Sequence, residues 1–361
     1  MGRIRIAAVG DVMCGETFYQ YRRGPRTHMD ELGVQFLDDE VVSFLKSHDF
    51  VLGNVECALS DLGWLKGSLR SHQLRGRPET ADYLRDWGFT CANLANNHIL
   101  EHGQPAAEDT ASRLRCAGLG VIGAGRDQQF EPGIEVFEAD VGSLKVGAIG
   151  GCLLSQKYAF GGGGSLAQML DATHDLSQRC DVVIVSQHWG TEYMDYPSAE
   201  QKVVAASFAT AGATLVLGHH PHVVQGVERR NGALVAYSLG NFIFDQLPPD
   251  TRWSMILSCE VDERSVVSWE CVPVALDDRH RPRFPKAHTR DGLLEEVDRR
   301  HRLVDRKHFA EARTYRREAT RRDRQSRRQR WARILRSLPT LPPAYTAQMV
   351  ARPVLRRLEA W

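Results

Sequence analysis

The sequence predicts an α/β fold, and three observations predict it. Short β-rich runs alternate with segments of helical periodicity from Ile4 to about Gly240. Two stretches break that rhythm and read as β-hairpins, so antiparallel strands are mixed into the sheets. Polar clusters fall, one after another, where the β-rich runs end.

The elements follow in order. IRIAAV from Ile4, FVLGN from Phe50, FTCANLA from Phe89, DVVIVSQ from Asp181 and TLVLG from Thr214 have strand length and composition. LDDEVVSFLK from Leu37, PETADYLRDW from Pro78, PAAEDTASRLR from Pro105 and SAEQKVVAASFAT from Ser198 place apolar residues at helical spacing. The hairpins are GIEVFEADVGSLKVGAIG from Gly133 and WSMILSCEVDERSVVSWECVPV from Trp253, each around a polar turn. The GGGG tract from Gly161 to Gly164 reads as a long connection, ahead of a mobile lid. Past Arg299 the composition turns Arg-dense, with Trp331, Ile334, Leu335 and Leu338 at helical spacing before Pro339, Pro342, Pro343 and Pro353. The expected organisation is one domain over residues 1–298 and an Arg-rich helical tail over 299–361.

The totals narrow the class. Hydrophobic residues make up 42% of 361, enough for a substantial core. The formal net charge of +1 hides an asymmetry, because the tail carries 19 Lys/Arg against 5 Asp/Glu. Eight scattered cysteines without a C-x-x-C pair read as reduced, buried thiols. The N-terminal run enters a strand at once, and no segment approaches the roughly 20 apolar residues of a membrane span. The expected location is cytoplasmic, at most peripheral to a membrane.

In a sheet of this kind ligands bind beyond the C-terminal strand ends. Asp11 follows the first strand, Asn54 and Glu56 the second, Asn96, Asn97 and His98 the third, His188 a fourth, and GHHPHV (Gly218 to Val223) a fifth. Any one of these has an ordinary reading as a turn-former, cap or satisfied polar group. Five in succession point to one polar site. Carboxylate, amide and neutral imidazole are the ligand set of zinc, manganese or iron. Period-two geometry would aim His220 and His222 together into the site and turn His219 away, toward packing or an outer hydrogen bond.

These residues carry a resemblance. GDVM, GNVE, NLANNH, QHWG with Glu192 and Tyr193, GHHPHV and YSLGNF resemble, in order and spacing over about residues 3–275, the capsule-synthesis CapA family, also called the poly-γ-glutamate biosynthesis family. That resemblance implies a calcineurin-like metallophosphoesterase fold, two facing mixed sheets flanked by helices in an α/β/β/α sandwich. It implies a metal set of Asp11, Asn54, Glu56, Asn97, His188, His220 and His222. Asp11, Glu56 and His98 are the expected catalytic groups, with His98 as general acid, and Glu192 and Tyr193 are expected to touch substrate at the mouth. Met13 stands where the metallophosphoesterases carry a histidine, and Asn54, or Glu56 two residues on, stands at the bridging aspartate. Loss of one nitrogen ligand and of a bridging charge implies one divalent ion, or none. Glu101 replaces an aspartate found in some members.

Three functions are expected from this site. The first is a metal-dependent hydrolase or transferase acting on an anionic polymer or peptide in capsule or exopolymer biosynthesis. The second is a metal-independent peptide epimerase that moves a Cα proton, for which only one base can be named. The third is a non-catalytic component of a polymer-assembly complex, attached to an anionic membrane surface or partner through the basic tail. Nucleic acid is disfavoured, since no aromatic platform accompanies the charge.

Overall fold

The computed structural model describes residues 2–63, 68, 71–125, 134–154, 164–263, 265–304 and 312–348. Its strands, in chain order, are β1 (Ile4–Val12), β2 (Phe50–Val55), β3 (Ala58–Leu59), β4 (Arg75–Gly76), β5 (Cys91–Asn93), β6 (Gly120–Ile122), β7 (Val136–Val141) and β8 (Leu144–Cys152). They continue as β9 (Val182–His188), β10 (Leu215–His219), β11 (Val227–Arg230), β12 (Ala233–Ala236), β13 (Asn241–Ile243), β14 (Trp253–Asp262), β15 (Ser265–Leu276) and β16 (Pro282–Arg283). The helices are α1 (Pro25–Leu32), α2 (Asp39–Lys46), α3 (Thr80–Asp86), α4 (Gln104–Cys116), α5 (Leu166–Arg179), α6 (Ala199–Thr210), α7 (Ala287–Val304) and α8 (Ala312–Ser337). Residues 161–163 of the glycine tract lie outside the described residues, as does Pro353.

One sheet runs β16-β15-β14-β1-β2-β5-β6, with β13 also paired to β1; the other runs β11-β12-β10-β9-β8-β7. Period-two alternation explains why they stack. In β1, Ile4, Ile6 and Ala8 join an apolar core shared with Val182 and Ile184 of β9 and with Leu215 and Leu217 of β10. The intervening Ala7 and Val9 enter a second core with residues of α1–α4. On the other sheet, Val183, Val185 and Val216 face a third core with α5 and α6. The central strands of both sheets are therefore buried on both faces, which gives the α/β/β/α sandwich. Parallel strands buried on both faces read as continuous apolar runs, as ATLVL does before His219.

Both expected hairpins form, as the antiparallel pairs β7–β8 and β14–β15. FTCANLA contributes only Cys91–Asn93 to the ladder. Its Thr90 closes the pairing instead, donating its hydroxyl to the carbonyl of Val51 and accepting from that residue's N–H. All eight cysteines are free thiols, and Cys116 is exposed rather than buried.

The expected boundary at 298/299 falls inside α7. Arg300, Leu303 and Val304 are buried. The Arg300 guanidinium donates to the Val224 carbonyl (2.9 Å) and to Glu296 (2.6 Å) and lies over the Trp253 ring (5.7 Å). Composition moves the boundary to the first dense arginines, whereas packing keeps α7 with the body. Helix α8 also closes on the body, through Tyr315 against Tyr196 and through Glu318, which accepts from the Tyr196 hydroxyl (2.9 Å).

Candidate functional site

Register assembles the first part of the site. The parallel ladders place Asp11 of β1 opposite both Asn54 of β2 and Asn241 of β13. Gly10 lets this happen, since a Cβ there would collide with the Gly240 carbonyl that accepts the Asp11 N–H (2.9 Å). Asp11 is fully buried. Burial alone would raise its pKa, but the adjoining imidazoles of His219 and His222 hold it well below the usual carboxylate range.

The orientation of Asn54 follows from its neighbours. Asn96 Oδ1 accepts the backbone N–H groups of His98 (3.1 Å) and Ile99 (2.9 Å), which turns its NH2 toward Asn54 Oδ1 (3.2 Å). Asn93 Oδ1 accepts the Ala95 N–H, and its NH2 also reaches Asn54 Oδ1 (3.3 Å). The carbonyl of Asn54 is thereby occupied from behind, and its NH2 faces Asp11 Oδ1 (2.9 Å) and Glu56 Oε2 (3.4 Å). Asn54 lies in the site as a hydrogen-bond donor, because the atom that could ligate a cation points out of it.

Glu56 is the shared element. Its carboxylate belongs to two groups whose ligand atoms lie mutually within 4.8 Å, Asp11–Glu56–His188 and Glu56–His220–His222. Glu56 is fully buried, and Oε1 has no hydrogen-bond partner. Burial first, then the charges of Asp11 and Glu192, push its pKa well above the usual value. A buried, orphaned carboxylate oxygen among imidazoles fits a cation ligand. His188 is also fully buried, and burial followed by the charge of His220 drives its pKa well below the usual imidazole value. His220 falls to about 4, with burial the largest cause and His222 next. Neutral imidazole is the form that binds metal. His222 goes the other way: burial opposes its charge, yet the Asp11 carboxylate 3.2 Å away raises its pKa.

The histidine loop differs from the expected extended segment. β10 ends at His219, and both His220 (φ +94°) and His222 (φ +60°) take left-handed backbone. The two rings do reach the site, with His220 at 4.9 Å from His188 between centroids. His219 does not face away. Its Nδ1 lies 3.4 Å from Asp11 Oδ1, because the β9–β10 register sets His219 beside His188.

Asn97 and His98 complete the rim. Asn97 Oδ1 accepts a hydrogen bond from His188 Nε2 (2.8 Å), which ties the third strand end to the fourth at the edge of the site. His98 Nε2 lies 3.9 Å from Glu56 Oε1 and its Nδ1 4.0 Å from Glu101, with its side chain 26% exposed, which suits a group that meets substrate. Glu192 stands near the rim: burial would raise its pKa, but His222, His220 and His98 lower it. The Tyr193 ring is 6.4 Å from that of His222, and its backbone N–H donates to the Pro221 carbonyl (2.8 Å). Asn241, which bonds His222 Nδ1 at 3.0 Å, was missed as a site residue although it sits in YSLGNF. Met13 is buried in the helix-side core, away from any ligand role.

With the geometry in place, comparison with known proteins decides the family. The model of the bacterial capsule synthesis protein PGA_cap family matches residues 5–246. The chain belongs to that family. Among related proteins is the capsule biosynthesis protein CapA of Bacillus anthracis, 28% identical over 293 residues, covering 76% of this chain and 68% of that protein. Another is the PGA biosynthesis protein CapA of Bacillus subtilis strain 168, 28% identical over 274 residues, with 74% and 70% covered. A crystal structure of a phosphatase from Mycoplasma pneumoniae aligns with a TM-score of 0.49 at 15% identity, over 76% of this chain and 94% of that one. The family match ends before β14, so α7 and α8 lie outside it.

Proposed function

We propose that the protein is a metal-dependent hydrolase or transferase acting on an anionic polymer, or its precursor, in capsule or exopolymer biosynthesis. The observation that carries this reading is Glu56, buried with an orphaned oxygen and common to two ligand groups. Family membership and the capsule and PGA biosynthesis names of the relatives support the polymer. Asp11, Glu56, His188, His220 and His222 would hold a divalent ion, with the Asn97 carbonyl beside them. Their mixed nitrogen and oxygen donors suit zinc, manganese or iron. Such an ion supplies Lewis acidity and a water of lowered pKa.

The chain's own groups do the rest. Asn54 donates to Asp11 and holds its carboxylate in place. His98, partly exposed at the rim, is placed to deliver a proton to a leaving group. No helix among the described residues is long and apolar enough to cross a membrane.

The test is metal analysis of the purified protein together with turnover of acidic oligomers. Chelation should abolish activity and Zn²⁺ or Mn²⁺ restore it. His188→Ala should lose metal, whereas His98→Ala should keep metal and lose about 10²-fold or more in kcat. A metal-free protein with full activity would overturn the reading.

A further inference from the structure

Helix α8 carries two kinds of arginine. Arg322 is committed inward: it donates to the Tyr193 carbonyl (2.6 Å), to Asp195 (2.7 Å) and to Glu318 (2.8 Å). Arg327 is paired with Asp323 (3.0 Å). By contrast Arg317, Arg324 and Arg328 have no carboxylate within ion-pair distance among the described residues, and Arg321 has only Glu318 at 3.7 Å. Steps of four, three and four residues put Arg317, Arg321, Arg324 and Arg328 on one face. Like charges four residues apart on a helix repel and destabilise it. A face meant only for solvent would intersperse acids, as Asp323 does for Arg327.

That face joins the site. A crevice of about 320 Å³ lies between α8 and the loops carrying Tyr193, Val223 and Pro248–Thr251. Its inner end is Tyr193, whose ring adjoins His222, and Val223, the next residue along. On its outer side Arg321, Gln325 and Gln329 also line a second concave surface, which continues along Arg317, Arg324 and Arg328. Besides the committed Arg322, the crevice wall contains the Arg321 guanidinium and two carboxamides, Gln325 and Gln329, against one carboxylate, Asp250.

We propose that α8 is an anion-binding track for the part of a polyanionic chain that extends beyond the metal centre. The inference rests on the hydrolase or transferase reading for its starting point, but not for its chemistry. Planar guanidiniums take carboxylates or phosphates bidentately, and the two glutamines suit the amide or ester links between them. From Arg317 to Arg328 the helix rises about 17 Å. An extended chain of about five units spans the same length.

The test uses the full-length, metal-loaded protein and two probes, acidic oligopeptides and polyphosphates of about three, six and twelve units. Affinity should rise with length up to about six units and then level off. Arg321→Ala with Arg324→Ala, and separately Arg317→Ala with Arg328→Ala, should each weaken binding of the longer probe tenfold or more and flatten its salt dependence. Metal content should be unchanged in both. Preference for one probe identifies carboxylate or phosphate as the recognised group. Wild-type affinity in both double variants, or the same affinity for every length, overturns the track. So does arginine-dependent binding to anionic lipid vesicles that neither probe displaces, which would assign the face to a membrane. Chain binding that survives without any turnover would sink the enzymatic reading and leave the track standing.

Discussion

Replacing Asn54 by aspartate would set a third carboxylate beside Asp11 and Glu56, where the wild-type chain has an NH2 group. Without metal the variant should be less stable than wild type, since three buried carboxylates repel. With Zn²⁺ or Mn²⁺ its rise in Tm should exceed that of wild type, and equal rises would show that this position does not face the ion. Asp245 offers a second test at the same scale. Burial pushes its carboxyl up to about 7, although Thr17 donates to it through N–H (2.5 Å) and hydroxyl (2.8 Å). A carboxyl raised in the folded state favours folding while protonated, so stability should fall as pH climbs from about 4 toward 7. Asp245→Asn should therefore melt above wild type near pH 8, with the gap closing toward about pH 4. What the sequence could show here was residue type at strand ends, which located Asp11, Glu56 and His188. It could not show that His219 turns inward, which depends on its register with His188, nor which end of the Asn54 amide faces the carboxylates, which backbone N–H groups some 40 residues away decide.

Helices α7 and α8 are held to the body by ion pairs that titrate. Asp195 meets Arg299 (3.0 Å) and Arg322 (2.7 Å). Its burial would raise its pKa, but Arg300 and Arg322 bring it below the usual value, and Glu296 is brought to about 2 against the same burial by Arg299 and Arg300. A depressed carboxyl stabilises the fold above its unfolded pKa and loses that contribution as pH falls through the folded one. Amide-exchange protection over Ala287–Val304 should thus fall between about pH 4.5 and 2. Asp195→Ala should cost about 2–3 kcal/mol at neutral pH in chemical unfolding. Strand periodicity made both hairpins and the four layers legible at this scale. The docking of α8 leaves only a faint trace in the sequence, because among the described residues of that helix Tyr315 and Ile334 are the buried apolar ones, too few for an apolar stripe among so many arginines.

Across the whole molecule, the basic tail and the more acidic body meet at the loop 191–196. Cutting the chain after Val304 keeps α7 intact and uncovers Met194 and Tyr196, which pack with Leu303 and Tyr315 in the full chain. The shortened protein should fold and bind metal, yet show increased binding of a hydrophobic dye and a lower Tm; unchanged dye binding would mean that α8 does not cover this patch. Arg322 holds the Tyr193 carbonyl, and Tyr193 holds Pro221, the residue between the two left-handed histidines. This relay steadies a loop whose backbone is costly to maintain. Its loss should leave the metal-bound geometry intact but shorten the residence time of the ion. In chelator competition, metal should leave Arg322→Ala several-fold faster than wild type while equilibrium occupancy at saturating metal stays the same.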